Sequence, residues 1–335
     1  MKRILVAGAG GFIGHHLVKR LKAEGNFVRG ADIKHPEFEE TAADEFVLRD
    51  LRHFEDCVSA QGGGLDEVYQ LAADMGGIGY ITANLASLAR NNTLINANML
   101  EAARACGVKR YLYTSSACVY NQSLQASADV LPLKEEDAYP AMAEPGYGWE
   151  KLYAELMCEW YMRDFGLDAR IVRFHNVYGP LGTWRGGKEK APAALCRKVA
   201  QVVQSGGDTL PIWGDGKQTR SFMHVDDCVE GLLRLMASGY RKPLNLGTDE
   251  LVSVDGLADI ITEIAGATLK YDHDLSAPQG VRGRNSDNTR LRRVLGWEPG
   301  TPLAEGLRPT YEWIYGQVKA ASWPRETVAG WGSRG

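Results

Sequence analysis

The chain predicts an α/β fold: a doubly wound parallel sheet with a smaller C-terminal substrate-binding lobe. Three observations predict it. Short β-branched or apolar runs alternate with longer helical stretches, the pattern of βαβ units. A glycine-rich turn joins the first run to the first helix. The length, 335 residues, is about twice the usual size of one domain.

The elements follow in order. RILVAGA reads as the first strand, HHLVKRLKAEG as the first helix and FVRGADI as the second strand. EFVLRD and EVYQLAA are the next strands, LINANMLEAARACG a long helix, and YLYTSSACVY a strand ending in Ser115-Ser116. KLYAELMCEWYMRDFG is helical, and ARIVRFHNVYG is a buried strand that leaves the sheet. These define a cofactor domain over residues 1–175. Residues 179–192, GPLGTWRGGKEKAP, are rich in Gly, Pro and Lys and read as a loop at the entrance of a second lobe, 176–325. The strand-like PLNLGT at 243–248 implies that the chain returns to the first domain around 220–250, so the boundary is not a single cut. Residues 326–335 read as a tail. There is no internal repeat and no low-complexity segment.

Composition narrows the class. With 44% hydrophobic and 24% charged residues and a formal net charge of -4, the chain is an ordinary globular sequence without a basic footprint for nucleic acid. No apolar run is long enough to span a bilayer, and the N-terminal apolar segment runs into glycines without a small-residue cleavage site, which argues against a secretory signal. Six cysteines are scattered with no Cys-x-x-Cys pair, against both a disulfide framework and a zinc site. A reducing, cytoplasmic compartment is expected. Seven histidines are equally dispersed, and adjacent His15 and His16 cannot share one helix face as a metal pair. No metal is expected.

Gly8, Gly11 and Gly14 fall in G-x-x-G-x-x-G between a strand and an amphipathic helix, with Phe12 and Ile13 inside the motif. That context is the Rossmann-type dinucleotide signature. The glycines allow a tight turn, close approach of a pyrophosphate and helix–strand packing, and the helix N-terminus supplies N–H donors and a positive dipole end. Asp32 closes the second strand, where a carboxylate accepts hydrogen bonds from the adenine ribose and repels a 2'-phosphate, so NAD is expected over NADP. Arg29 and Lys34 point the other way or are solvated. Asp50 and Leu51, after the third strand, either reach an adenine edge or form a strand-end turn.

Tyr147 and Lys151 form Y-x-x-x-K, whose spacing puts both on one helix face. An ammonium beside a phenol is expected to lower the phenol pKa towards that of a base able to take a hydroxyl proton as hydride leaves. Upstream, Ser116 ends the TSSACVY strand and is placed to hydrogen-bond the same substrate hydroxyl.

With these motifs in this order, the chain resembles the extended short-chain dehydrogenase/reductases and, within them, the GDP-mannose 3,5-epimerase family. The resemblance runs through GAGGFIG, ADMGGIGY, SSACVY, YGWEK, RFHNVYGP, GTWRGGKEKAP, WGDGKQTRSF, GVRGRNSDN and GLRPTYEWI, nearly the whole length. GTWRGGKEKAP is not expected of 4-epimerases or dehydratases. One departure is Asn121-Gln122 after SSACVY, where Pro-Glu is usual.

The resemblance implies a substrate, GDP-D-mannose, and a product, GDP-L-galactose, with GDP-L-gulose as side product. It implies oxidation of the hexose at C4 by NAD, followed by epimerisation at C5 and C3, where C–H bonds flanking the ketone are acidic. It assigns the two acid/base groups to Cys118 and Lys190. A thiol serves as such a group if a positive neighbour lowers its pKa, and a lysine if desolvation brings its own down. It further implies sugar contacts from Gly76, Gly77 and Asn176, a diphosphate clamp from Arg282 or Arg284 or both, and nucleotide contacts from Gln218 and Arg220. Lys188 and Arg185 are expected at the surface or on phosphate. A homodimer is expected through the LINANMLEAARA and KLYAELMCEWYM helices. Two other readings remain open: an NAD-dependent 4-epimerase or dehydratase, lacking only the roles of Cys118 and Lys190, and a cofactor-sensing binding protein without turnover. Product ratio and the nucleotide base do not follow from the residues.

Overall fold

The computed structural model describes residues 1–321; the expected tail, with the last residues of the expected lobe, lies outside the described residues. The first half contains β1 (Arg3–Ala7), α1 (Phe12–Ala23), β2 (Phe27–Asp32), β3 (Glu45–Leu48), α2 (Phe54–Gln61), β4 (Glu67–Gln70), α3 (Ile78–Ala83), α4 (Leu85–Ala105), β5 (Arg110–Ser116) and α5 (Tyr147–Phe165). It continues through β6 (Ala169–Phe174), β7 (Asn176–Tyr178), α6 (Ala191–Ser205), β8 (Thr209–Trp213), β9 (Thr219–Arg220), β10 (Phe222–His224), α7 (Val225–Ala237) and β11 (Pro243–Leu246). The last elements are β12 (Val252–Ser253), α8 (Val254–Ile264), β13 (Lys270–Asp274), β14 (Gly283–Arg284), α9 (Thr289–Leu295) and α10 (Leu303–Ala320).

The main sheet has seven strands in the order β11-β6-β5-β4-β1-β2-β3, every neighbouring pair parallel. This is the doubly wound arrangement expected, and its order reverses between β1 and β4, the crevice where such sheets take their ligands. The near-continuous apolar run of β1 follows from burial on both faces, and β4 is buried along its whole length, Glu67 and Gln70 included. On one face Leu17, Val18 and Leu21 of α1 and Cys228 and Leu232 of α7 pack on Ile4 and Val6. On the other, Cys57, Met99 and Cys158, from α2, α4 and α5, pack with Leu5 and Val68.

The run ARIVRFHNVYG divides at His175. Up to Phe174 it is the sheet strand β6; from Asn176 it is β7, which turns away to pair in parallel with β10. A separate core of Trp184, Leu195, Val199, Leu210, Ile261, Leu307 and Ile314 joins α6, α8 and α10 in the second lobe. PLNL returns as β11 to the large sheet beside β6. Among the described residues no helix is long and apolar enough to cross a membrane.

Candidate active site

The glycine turn after β1 is folded back on itself. A Cβ on Gly14 would run into the Gly8 carbonyl oxygen, whereas at Gly11 it would meet only that oxygen at 3.3 Å, so Gly14 is tied to packing and Gly11 faces space. Over this turn opens a cavity lined by Gly10, Gly11, Phe12, Lys34, Phe38 and Leu181, at the N-terminus of α1. Ile13 lies partly buried beneath it, against the core. The Asp32 carboxylate accepts N–H bonds from Gly10 at 2.9 Å, Ile33 at 2.7 Å and Lys34 at 3.3 Å. It therefore braces the turn beside the cavity's Gly10 and Lys34. Burial raises its pKa, and the three N–H groups pull it back. A glycine cradle, a helix N-terminus and a carboxylate at the end of β2 fit a dinucleotide.

Asp50 is held by the Arg52 fork at 2.5 to 3.1 Å, which keeps its pKa down at about 2. Leu51 is buried in the core under α2. With His53 N–H bonded to the Asp50 carbonyl at 2.9 Å, these residues form a turn at the end of β3.

Ser116, Cys118 and Tyr147 come together because β5 ends in a single 3₁₀ turn, Ala117–Val119, against the start of α5. The Ser116 hydroxyl caps that turn, accepting from the Cys118 N–H at 3.2 Å. Lys151, one helical turn after Tyr147, is fully buried; its ammonium donates to the Thr114 carbonyl at 3.1 Å and lies 5.5 Å from the Tyr147 ring centroid. The expected lowering of the phenol does not appear. Burial first, then the Cys118 sulfur and Glu150, push Tyr147 well above its usual value, and the Ser116 hydrogen bond that opposes them does not offset this. Burial equally pulls Lys151 down, so the pair is held towards neutrality. The reason is desolvation: both groups lie in a sealed pocket where either charge is costly.

The same correction applies to the thiol. Arg284 is the positive neighbour that sequence reasoning required, 3.7 Å from the Cys118 sulfur, but burial and Glu144 outweigh it and the pKa of the thiol is raised. Lys190, the residue before α6, moves in the expected direction: burial lowers its pKa, and the sulfurs of Cys118 and Cys228 are close enough to pull it back up. Lys188 faces Asp74 at 3.6 Å and the Tyr80 ring at 3.9 Å. Gly77 donates its N–H to the Lys188 carbonyl at 3.0 Å, and Gly76 packs on the Tyr80 ring. The 76–80 and 188–190 segments thus form one wall.

The remaining expected contacts are each engaged within the chain. Asn176 bonds the Ser221 carbonyl at 3.1 Å. Gln218 bonds the Trp213 carbonyl at 3.0 Å, and its side-chain oxygen is buried without a partner. Arg220 donates only to carbonyls, those of Thr219, Gln279 and Val281. Burial and the nearby Arg284 bring its pKa down to about 10. Neither arginine of GVRGR is free: Arg282 forks onto Asp215 at 2.7 and 2.8 Å, and Arg284 is buried among Glu144, Gln125 and Cys118. Glu144 and Gln125 were missed from the sequence. Glu144 lies three residues before Tyr147, the one signal that could have flagged it; nothing marks Gln125. The divergent Asn121 and Gln122 tie down the Glu144 loop, donating to Pro140 and Ala143 carbonyls at 2.9 Å each.

The parallel sheet, the glycine turn and the carboxylate at the end of β2 are those of a dinucleotide-dependent enzyme, and Ser116, Cys118, Tyr147 and Lys151 lie together where β5 meets α5. The family model described as the NAD dependent epimerase/dehydratase family matches residues 4–247. A GDP-mannose 3,5-epimerase 1 of Oryza sativa subsp. japonica is 49% identical over 99% of this chain and 86% of its own length. A GDP-mannose 3,5-epimerase of Arabidopsis thaliana is 48% identical over 99% and 87%. Among solved structures, a UDP-glucose 4-epimerase with UDP-glucose from Thermotoga maritima superposes with a TM-score of 0.83 at 26% identity, covering 94% of this chain and 99% of that one. The chain belongs to the NAD-dependent epimerase/dehydratase family and, within it, to the GDP-mannose 3,5-epimerases.

Proposed function

We propose that this chain converts GDP-D-mannose to GDP-L-galactose through a ketone at C4, inverting C5 and C3, with GDP-L-gulose as the product of C5 inversion alone. The observation that carries the reading is Cys118 held on the Ser116 hydroxyl next to Tyr147, within electrostatic reach of Lys190, in a chain 49% identical to a GDP-mannose 3,5-epimerase over 99% of its length.

Gly8, Gly11, Phe12, Ile13, Gly14 and Asp32 hold the dinucleotide, with Asp50 and Leu51 shaping the end of β3. NAD, when bound, supplies the hydride acceptor and donor at C4 together with the positive charge of its oxidised ring. Ser116 hydrogen-bonds the C4 hydroxyl, and Tyr147 takes its proton; the phenol, held neutral by burial, needs a cationic neighbour beyond Lys151 to act so. With C4 a carbonyl, the C3 and C5 protons are acidic because the carbanion is delocalised as an enolate. Cys118 and Lys190 exchange them from opposite faces of the ring, and burial keeps water from competing. Asn176 and the 76–77 segment orient the sugar, and Gln218 lies towards the nucleotide. Arg220, whose half-buried guanidinium has carbonyls but no carboxylate for partners, takes the diphosphate; Arg282, forked onto Asp215, and Arg284 have their donors engaged.

The enzyme acts as a homodimer. Trp149, Tyr153 and Trp160 of α5 and Leu85 of α4 are exposed apolar side chains on the helices expected to pair, and α4 and α5 already pack on each other. It works in a reducing, cytoplasmic compartment, as its six free cysteines suggest.

Incubation with GDP-mannose in heavy water, followed by NMR of the products, tests the reading. Deuterium at C5 and C3 is expected; a product inverted at C4 alone, or one that has lost water, would instead make the chain a 4-epimerase or a dehydratase.

A further inference from the structure

Cys118 has a partner system that no motif announces. Arg284 reaches it from β14, far along the chain, and divides its donors three ways. Nη1 faces the Cys118 sulfur at 3.7 Å, Nε donates to Gln125 Oε1 at 2.5 Å, and Nη2 closes an ion pair with Glu144. Glu144 also donates its backbone N–H to the Cys118 carbonyl at 3.0 Å. Carboxylate and thiol are therefore joined twice, once through backbone and once through a shared guanidinium. Both ends of the ion pair are largely withdrawn from water, at 9% and 14% exposure, so screening is weak.

A guanidinium fork fixes direction as well as charge. Were Arg284 alone beside the sulfur, its full charge would favour a thiolate; with Glu144 on its other arm, that charge is mostly spent. We propose that Glu144 is a positioning residue for Cys118, aiming the Arg284 guanidinium at the sulfur and setting the acidity of the thiol by sharing that guanidinium's charge. The electrostatics agree in sign: after burial, Glu144 is the largest influence raising the thiol and Arg284 the largest lowering it. The other charged or titratable groups around the sulfur are Tyr147 and Lys151 of α5, Lys190 before α6 and Arg220 of β9. None of these groups is itself substituted in the variants below.

The inference gives Glu144 a part in the proposed epimerisation, but its test does not require turnover. Alkylation of Cys118 by iodoacetamide is followed on the purified NAD-loaded enzyme across pH, by mass spectrometry of the peptide carrying it. The midpoint of the profile reports thiol acidity, whereas cleft openness affects only its height. Glu144→Gln, which keeps shape and removes charge, is expected to move the midpoint down by about one unit or more, a tenfold gain in acidity. Glu144→Asp restores the charge and should bring the midpoint back towards the parent. Arg284→Gln should move it up by a similar amount, and this arm stands if Glu144→Gln does not fold. A midpoint unmoved or raised in Glu144→Gln, an Asp variant that behaves like Gln, or an unmoved midpoint in Arg284→Gln overturns the proposal. Failure of the epimerase reading would instead show as absence of deuterium at C5 and C3 in the parent enzyme.

Discussion

Gly148, the second residue of α5, lies so close to the Cys118 carbonyl oxygen that a Cβ at this position would run into it. The helix that carries Tyr147 and Lys151 and the 3₁₀ turn that carries Cys118 are thereby held backbone to backbone. Gly148→Ala must push them apart, at about 1–3 kcal/mol for an overpacked contact. Denaturant unfolding should show that loss. Deuterium exchange at C5 should fall further than stability accounts for, while NAD stays bound; a variant as active and as stable as the parent would mean the contact relaxes freely.

Asp32 combines recognition with support. Since its carboxylate accepts three backbone N–H groups, Asp32→Ala is expected both to blunt the preference for NAD over NADP and to cost about 1–3 kcal/mol of stability from unpaired donors. Titration with each dinucleotide and a melting curve measure the two effects separately. Unchanged selectivity would leave Asp32 as a brace alone.

Tyr147→Phe should abolish both epimerisations with GDP-mannose binding kept, because the ketone must form before any carbon acid exists. Cys118→Ser raises the side-chain pKa out of range, and Lys190→Ala removes the amine. Each should slow deuterium entry at C3 and C5 by about 10²–10⁴-fold without loss of NAD. Normal entry in both would return the chain to the 4-epimerase or dehydratase reading.

Glu150 gives a pH signature. It is buried behind Lys151, accepts from Asn96 at 3.0 Å and leaves its other oxygen without a partner; burial raises its pKa from 4.5 to about 7. A carboxyl raised on folding contributes stability that is fully present below 4.5 and lost as pH rises through about 7. Glu150→Gln should therefore flatten that part of the stability profile and melt above the parent at mildly alkaline pH, by up to about 3 kcal/mol. Parallel profiles for the two proteins would show that Glu150 does not titrate there.

The large sheet was legible because its signals are local: alternating apolar runs, a glycine turn between strand and helix, and a return strand at PLNL. Ser116, Tyr147 and Lys151 were legible for the same reason, as fixed spacings within a strand end or a helix face. The protonation states were not. The sequence suggested a phenol lowered by Lys151 and a thiol lowered by a cation, and the structure reverses both, because the pocket that assembles these groups also desolvates them.

By itself, then, the sequence determined the doubly wound sheet, the dinucleotide turn, the family and the residue types available for chemistry. Only the tertiary structure decided which of two adjacent arginines meets the thiol. Arg282 and Arg284 are indistinguishable as letters in GVRGR, but Arg282 precedes β14, whereas Arg284 lies on it and pairs in register with Arg220 of β9. One finds Asp215 near the surface and the other is buried with Glu144, Gln125 and Cys118. Charge pairing between segments 67 and 140 residues apart follows from how strands and loops pack, and no local pattern records it.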